Sequence, residues 1–255
     1  MQFELHFVLP PQSLTTRNQI LDWCVENTPE TETGFAGWDT RKYLRQNLRF
    51  KIVSVNDIPT PHTFDRGKIS LIVEDTLTHC YQTMPWKNTL HVFIYPGYDQ
   101  FDLDYMDGVG GFSGDKNVFQ LFLNPTHPNW EESLAYTVAH EYHHSQYWNY
   151  HNFDTVKTGI QAEGLAEHFR EELLGGPHAP WAVAIKEDQV DKWIPKVLPE
   201  LDSGEAYDGI FYGSDDYPMW LGYSLGYWLV KRYREQHPEK TWQELTSMSP
   251  EELFK

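Results

Sequence analysis

The order of segments along this chain predicts an α+β protein, with a small mixed sheet and a helical C-terminal half. Two observations carry the prediction. Up to about residue 125 strand-like and helix-like runs are mixed, whereas beyond residue 128 the pattern is almost wholly helical. Strands followed by a block of helices is the order expected when helices are segregated to one side of a sheet.

In chain order, Ile69, Ile72, Val73, Thr76, Leu77 and Cys80 recur at helical spacing. Leu90-His91-Val92-Phe93-Ile94-Tyr95 and Val118-Phe119-Gln120-Leu121-Phe122-Leu123 then read as strands, ended by Pro96 and by Asn124-Pro125. A long helix is expected to open at Asn129, with Glu132 three residues on as its capping partner, and to run to about Tyr150. A second starts after Thr158, which forms a Thr-x-x-Gln box with Gln161. It stops at Gly175-Gly176-Pro177, because glycine suits the left-handed position past a helix end and proline cannot continue a helix. Near the end of the chain, Ser249-Pro250-Glu251-Glu252 has the form of a helix start. No repeat or linker divides the chain, so the expected organisation is a mixed half, 1–125, and a helical half, 126–255, within one compact unit.

Composition narrows the partners. A chain of 255 residues, 40% hydrophobic and 15% aromatic, buries a sizeable core. Twenty basic against thirty-seven acidic residues give a formal charge of −17, which repels both a nucleic acid backbone and an anionic membrane surface. Cys24 and Cys80 are far apart and form no C-x-x-C, which fits a reduced, cytoplasmic location and leaves any metal site to histidine and carboxylate. The opening residues, Met1 to His6, lack the pattern of a secretory leader. The longest apolar run, Met219 to Val230, is about twelve residues against the ~20 a spanning helix needs, so a soluble protein is expected.

Chemistry concentrates at His140-Glu141-Tyr142-His143-His144, an H-E-x-x-H pentad. Four residues apart on a helix, His140 and His144 share one face and two imidazoles can converge on one ion. Glu141 sits beside that face, placed to work on a water held by zinc. A catalytic zinc takes three protein ligands, and Glu163 is the candidate for the third. The first helix continues about 9 Å past His144 and the second needs about 7 Å to return to Glu163, at 1.5 Å per residue. Glu167, one turn further, is placed to accept the free N–H of a ligand histidine from behind. The longer pattern H-E-x-x-H-x-x-G-x-x-H is excluded, since Tyr147 and Tyr150 stand where it needs Gly and His. His143 and His168 are expected to be packing or surface residues pointing away from the ligand face. His151 is a candidate extra donor near the cleft.

The pentad, the eighteen residues to Glu163 and the segment Ala162-Glu163-Gly164-Leu165-Ala166-Glu167 resemble the H-E-x-x-H-x18-E and N-E-G-F-A patterns of gluzincin metallopeptidases of the aminopeptidase N kind. Tyr223-Ser224-Leu225-Gly226 looks like that group's Y-x-K-G element. The chain as a whole, including Glu163-Gly164-Leu165-Ala166-Glu167-His168-Phe169 and Gly222-Tyr223-Ser224-Leu225-Gly226-Tyr227, most resembles the YjaZ-type predicted zinc-dependent proteases of bacteria. The resemblance implies a gluzincin-like zincin fold, a Zn2+ cofactor, a peptide or protein substrate, and Tyr223 as the donor to the developing oxyanion; Tyr212 and Tyr217 are the reserve candidates among the nearby tyrosines. Ala162 and Leu225 depart from the aminopeptidase patterns. Where those enzymes carry a glutamate that grips the substrate's amino terminus, this chain has Gly110-Gly111-Phe112-Ser113-Gly114, which argues against aminopeptidase specificity. Gly110 and Gly111 are the candidates for an edge strand to which an extended substrate adds; the alternative is a flexible hairpin turn ahead of Val118.

Together these readings describe peptide hydrolysis with Glu141 as general base and Tyr223 as oxyanion donor. The alternative is a zinc-binding regulatory or binding protein with little turnover, which would need neither residue.

Overall fold

The computed structural model describes residues 2–30, 40–52 and 62–255. Its first stretch contains β1 (Phe3–Phe7), α1 (Arg17–Asn27), α2 (Thr40–Ile52), α3 (Arg66–Thr83), β2 (Leu90–Pro96), α4 (Gln100–Tyr105), β3 (Val109–Asp115) and β4 (Val118–Leu123). The rest is helical, with α5 (Trp130–Tyr147), α6 (Val156–Leu174), α7 (Val190–Val197), α8 (Tyr207–Tyr212), α9 (Leu221–Gln236) and α10 (Trp242–Ser247). The architecture is α+β, as the segment order predicts.

The four strands lie in the order β1-β2-β4-β3; β2 pairs in parallel with β1 and β4, and β3 runs antiparallel to β4. Every residue of β2 and β4 is buried, which is why both read as continuous apolar runs instead of alternating ones. On one face Phe93, Tyr95, Val118 and Phe122 pack against Ile20, Leu21 and Cys24 of α1 and Leu44 and Leu48 of α2. β3 closes a hairpin onto β4 through Asn117, which adopts φ 65°, a left-handed conformation that asparagine tolerates. The segment Gly110-Gly111 is thus strand, not turn, and β3 lies at the edge of the sheet.

Local signals set most helix ends. α6 begins three residues earlier than the Thr158-x-x-Gln161 box suggests. Thr155 is the cap, accepting from the Thr158 backbone, and the Thr158 side chain reaches back to the Thr155 N–H. Two threonines satisfy each other here where the usual pattern has Glu or Gln in the third position. The stop is as expected, with Gly175 at φ 69° and Gly176 at φ 87°. α5 follows Asn129, whose carbonyl accepts from Ser133 N–H, and ends at Tyr147, short of Tyr150. Ser249 precedes a short 3-10 turn over Pro250–Phe254.

The chain forms two compact units, Met1–Ser145 and Gln146–Lys255, with the division inside α5. The first contains the sheet. In the second, α6 packs along α9 at backbone distance: a Cβ built on Gly164 would stand 2.2 Å from the Gly226 carbonyl oxygen, and one on Gly226 would stand 2.1 Å from that of Ile160. Only glycine permits so close a crossing. Among the described residues, no helix is long and apolar enough to cross a membrane.

Candidate metal centre

Within the first unit, α5 presents His140 and His144 one turn apart, their rings edge-on with centroids 4.5 Å apart. The helix's rotation is fixed from its other side, where the buried Tyr142 hydroxyl donates to the Met84 carbonyl at 2.6 Å. Glu141 is buried, and its carboxylate lies directly beneath β3. A Cβ on Gly111 would come within 2.5 Å of Glu141 Oε1 and 2.7 Å of Thr137 Cγ2. On the opposite face of the strand, a Cβ on Gly110 would meet Asp102 Oδ2 at 2.5 Å. Asp102 is buried and paired with Lys51 Nζ at 2.6 Å; burial raises its pKa most, and the lysine opposes that. The glycine pair thus has a reason that sequence could not supply: it lets an edge strand lie against two carboxylates.

Within the second unit, Glu163 is buried on α6 beside Gly164. The Gly164–Gly226 crossing brings α9 alongside, and Tyr223 lies one turn before Gly226. The Tyr223 ring packs edge-on to Phe211 with centroids 5.2 Å apart. Its hydroxyl pKa is held well above the ordinary value, first by burial and then by the charge of Glu163 and the hydroxyls of Tyr212 and Tyr207; a hydrogen bond to Tyr212 adds to this. Tyr207 is shifted upward in the same way, by burial and then by Glu163. Tyr223 and Tyr207 therefore share the electrostatic neighbourhood of one carboxylate, and Tyr212 stands beside Tyr223. Tyr212 was a reserve candidate from sequence. Tyr207 was not recognised, because α8 reaches Glu163 from a distant part of the chain and carries no motif. Tyr217 lies elsewhere, its hydroxyl donating to the Lys196 carbonyl at 3.4 Å.

Glu167 is buried, and its carboxylate accepts from Arg170 Nη2 and Trp181 Nε1, each at 2.8 Å. His143 is fully buried. His168 stacks on Tyr227 with centroids 4.4 Å apart, and its Nε2 lies 2.9 Å from the Tyr227 carbonyl. Both side chains are buried. His151 is tied to the Thr246 carbonyl at 2.9 Å and tilts over Tyr147. Tyr147, in the position where the longer motif has glycine, is a buried core residue whose hydroxyl donates to Gln161 Oε1 at 2.7 Å. Cys24 and Cys80 are buried free thiols; burial pushes Cys24 up to about 12 and raises Cys80 as well.

Two groups of side chains among the described residues could hold a metal ion: His140, His144 and Glu163, and separately Glu4, His6 and His91. Each group offers ligand atoms within 4.8 Å of one another. Two imidazoles and a carboxylate form a donor set suited to zinc, and three protein ligands leave a fourth tetrahedral position open.

Residues 69–255, which include every residue of the pentad, Glu163 and Tyr223, match the family described as predicted Zn-dependent proteases (DUF2268). The chain belongs to this family. No curated protein and no solved structure matches it. Membership of a Zn-dependent protease family agrees with the His-and-carboxylate groups, and makes a peptide or protein the expected class of substrate.

Proposed function

We propose that this member of the family is a zinc metallopeptidase of the gluzincin kind, with zinc held by His140, His144 and Glu163. The observation that carries the reading is that these three side chains could serve one ion, with Tyr223 carried on the helix that crosses α6 at Gly164. Bound there, zinc would supply Lewis acidity toward a scissile carbonyl and would make water a stronger acid. Glu141 accepts a proton from the attacking water on its carboxylate and passes it to the leaving amine. Tyr223 donates its O–H to the oxygen that becomes negative in the transition state. Glu167, already anchored by Arg170 and Trp181, orients a ligand histidine. The outer edge of β3, the last strand in the sheet order, adds an extended substrate near Gly110 and Gly111 by main-chain hydrogen bonds.

The test is to combine Glu141→Gln and Glu163→Ala with a library of unstructured peptides as substrate. Glu141→Gln keeps its zinc and loses hydrolysis, whereas Glu163→Ala loses zinc. Undiminished cleavage by the first, or full zinc occupancy in the second, overturns the assignment. Zinc retained with no cleavage by the wild-type chain favours the regulatory alternative.

A further inference from the structure

Glu4 and His6 alternate onto one face of β1, and the parallel register sets Glu4 beside His91 and His6 beside Phe93 on β2. Three donor atoms meet there. His6 Nε2 lies 3.1 Å from His91 Nδ1, and Glu4 Oε2 lies 3.7 Å from the first and 3.5 Å from the second. The carboxylate stands beyond hydrogen-bond range of both rings, where ordinary N–H···O bonds are about 2.7–3.2 Å. A point in the plane of the three atoms lies about 2.0 Å from each, which is the length of a Zn–N or Zn–O bond.

The rings are held in these positions independently of any ion. His6 stacks on Phe93 with centroids 4.6 Å apart and 22° between planes, and on His91 at 5.4 Å and 25°. The His91 ring is mostly buried and its backbone N–H donates to the Asn117 carbonyl at 2.8 Å. Glu4 is the solvent-facing member, its side chain 53% exposed, so an ion arriving from solvent can reach its carboxylate.

We propose that Glu4, His6 and His91 form a second metal site, selective for a divalent transition ion of the zinc class, that ties β1 to β2. It uses none of the residues of the pentad site. Two nitrogen donors favour zinc, nickel or cobalt over magnesium or calcium, which take oxygen. The site binds in the folded state, so occupancy raises the stability of the sheet by mass action.

The experiment titrates metal-free protein with Zn2+ against a chromophoric chelator, and follows thermal unfolding. His6→Phe preserves stacking on Phe93 and removes a ligand. Wild type takes two equivalents, His6→Phe one, and Glu163→Ala one, with Zn2+ raising the melting temperature of Glu163→Ala but not of a variant carrying both His6→Phe and Glu163→Ala. One equivalent in both wild type and His6→Phe overturns this site and leaves the pentad site standing. One equivalent in wild type and none in His6→Phe supports it and overturns the other. If His6→Phe does not fold, Glu4→Gln, at an exposed carboxylate, decides: a tenfold or greater loss of Zn2+ affinity at one of two sites supports the proposal, and unchanged affinity refutes it.

Discussion

Replacing Gly226 by alanine is the sharpest test of how the second unit is built. In a free helix this exchange stabilises by about 0.8–1.0 kcal/mol, because alanine has the better helix propensity. Here the new Cβ would stand 2.1 Å from the Ile160 carbonyl oxygen and 3.0 Å from the Gly164 nitrogen. A carbon–oxygen contact normally begins at about 3.3 Å. The atoms in the way are backbone, so α6 and α9 must separate by roughly 1 Å, and a gap of that size forfeits a quarter to a half of the dispersion well for each atom pair. Overpacking costs about 1–3 kcal/mol where neighbours can yield; at the upper end, and after subtracting the propensity gain, the net loss is about 2 kcal/mol. With a urea m-value of about 2–3 kcal/mol/M, the midpoint falls by about 0.7–1 M. Gly67→Ala is the control: on α3 the nearest atom to its Cβ is Asp65 Oδ1 at 3.5 Å, so that variant keeps or raises the midpoint. A Gly226→Ala protein as stable as wild type would refute the claim of a backbone-limited crossing.

Further outcomes can be checked alongside. Tyr223→Phe should lower kcat on peptide substrates by about 10²–10³-fold with zinc retained, the range for losing one oxyanion donor. Gly111→Ala places a methyl group 2.5 Å from Glu141 Oε1 and displaces that carboxylate, so peptide hydrolysis should fall far more than the unfolding midpoint. Thr155→Ala removes the cap of α6 and should cost about 1 kcal/mol in urea unfolding. His168 has its pKa lowered by burial, partly offset by its bond to the Tyr227 carbonyl. Below pH ~6.5 the unfolded chain binds a proton that the folded chain refuses, so stability falls as the pH drops from there toward the folded pKa. Urea midpoints at pH 7.5, 6.5 and 5.5 should therefore show a shallower decline in His168→Gln than in wild type.

What could be read from sequence, and what could not, divides along physical lines. The helices around the pentad and Glu163, and the strands at Leu90 and Val118, announce themselves through periodicity and continuous apolar runs, which report local structure and burial. The start of α6 was misplaced by three residues because Thr158 is itself half of a reciprocal cap, and a Thr-x-x-Thr pair is weaker as a signal than Thr-x-x-Gln. Gly164 and Gly226 stood in the motifs, but their purpose is a contact between residues more than sixty positions apart. The same holds for Tyr207, and for Asp102 behind Gly110, which depend on tertiary neighbours that no local pattern encodes.

The two glycines of β3 also act as a key for strand alignment. Gly110 offers its bare face to Asp102 and Gly111 offers the opposite one to Glu141 and Thr137, so both sides of the strand are notched at consecutive positions. If β3 slid one residue along β4, Val109 or Phe112 would be driven into one of those carboxylates, and every side chain would also change faces. The irregular pairing between Phe112 and Asp115 lies just past the notch, where the ladder can absorb an extra residue. Length changes should therefore be tolerated at 113–116 and rejected at 109–112. The position of Glu141 beneath the strand then depends on how β3 is aligned as much as on the helix that carries it.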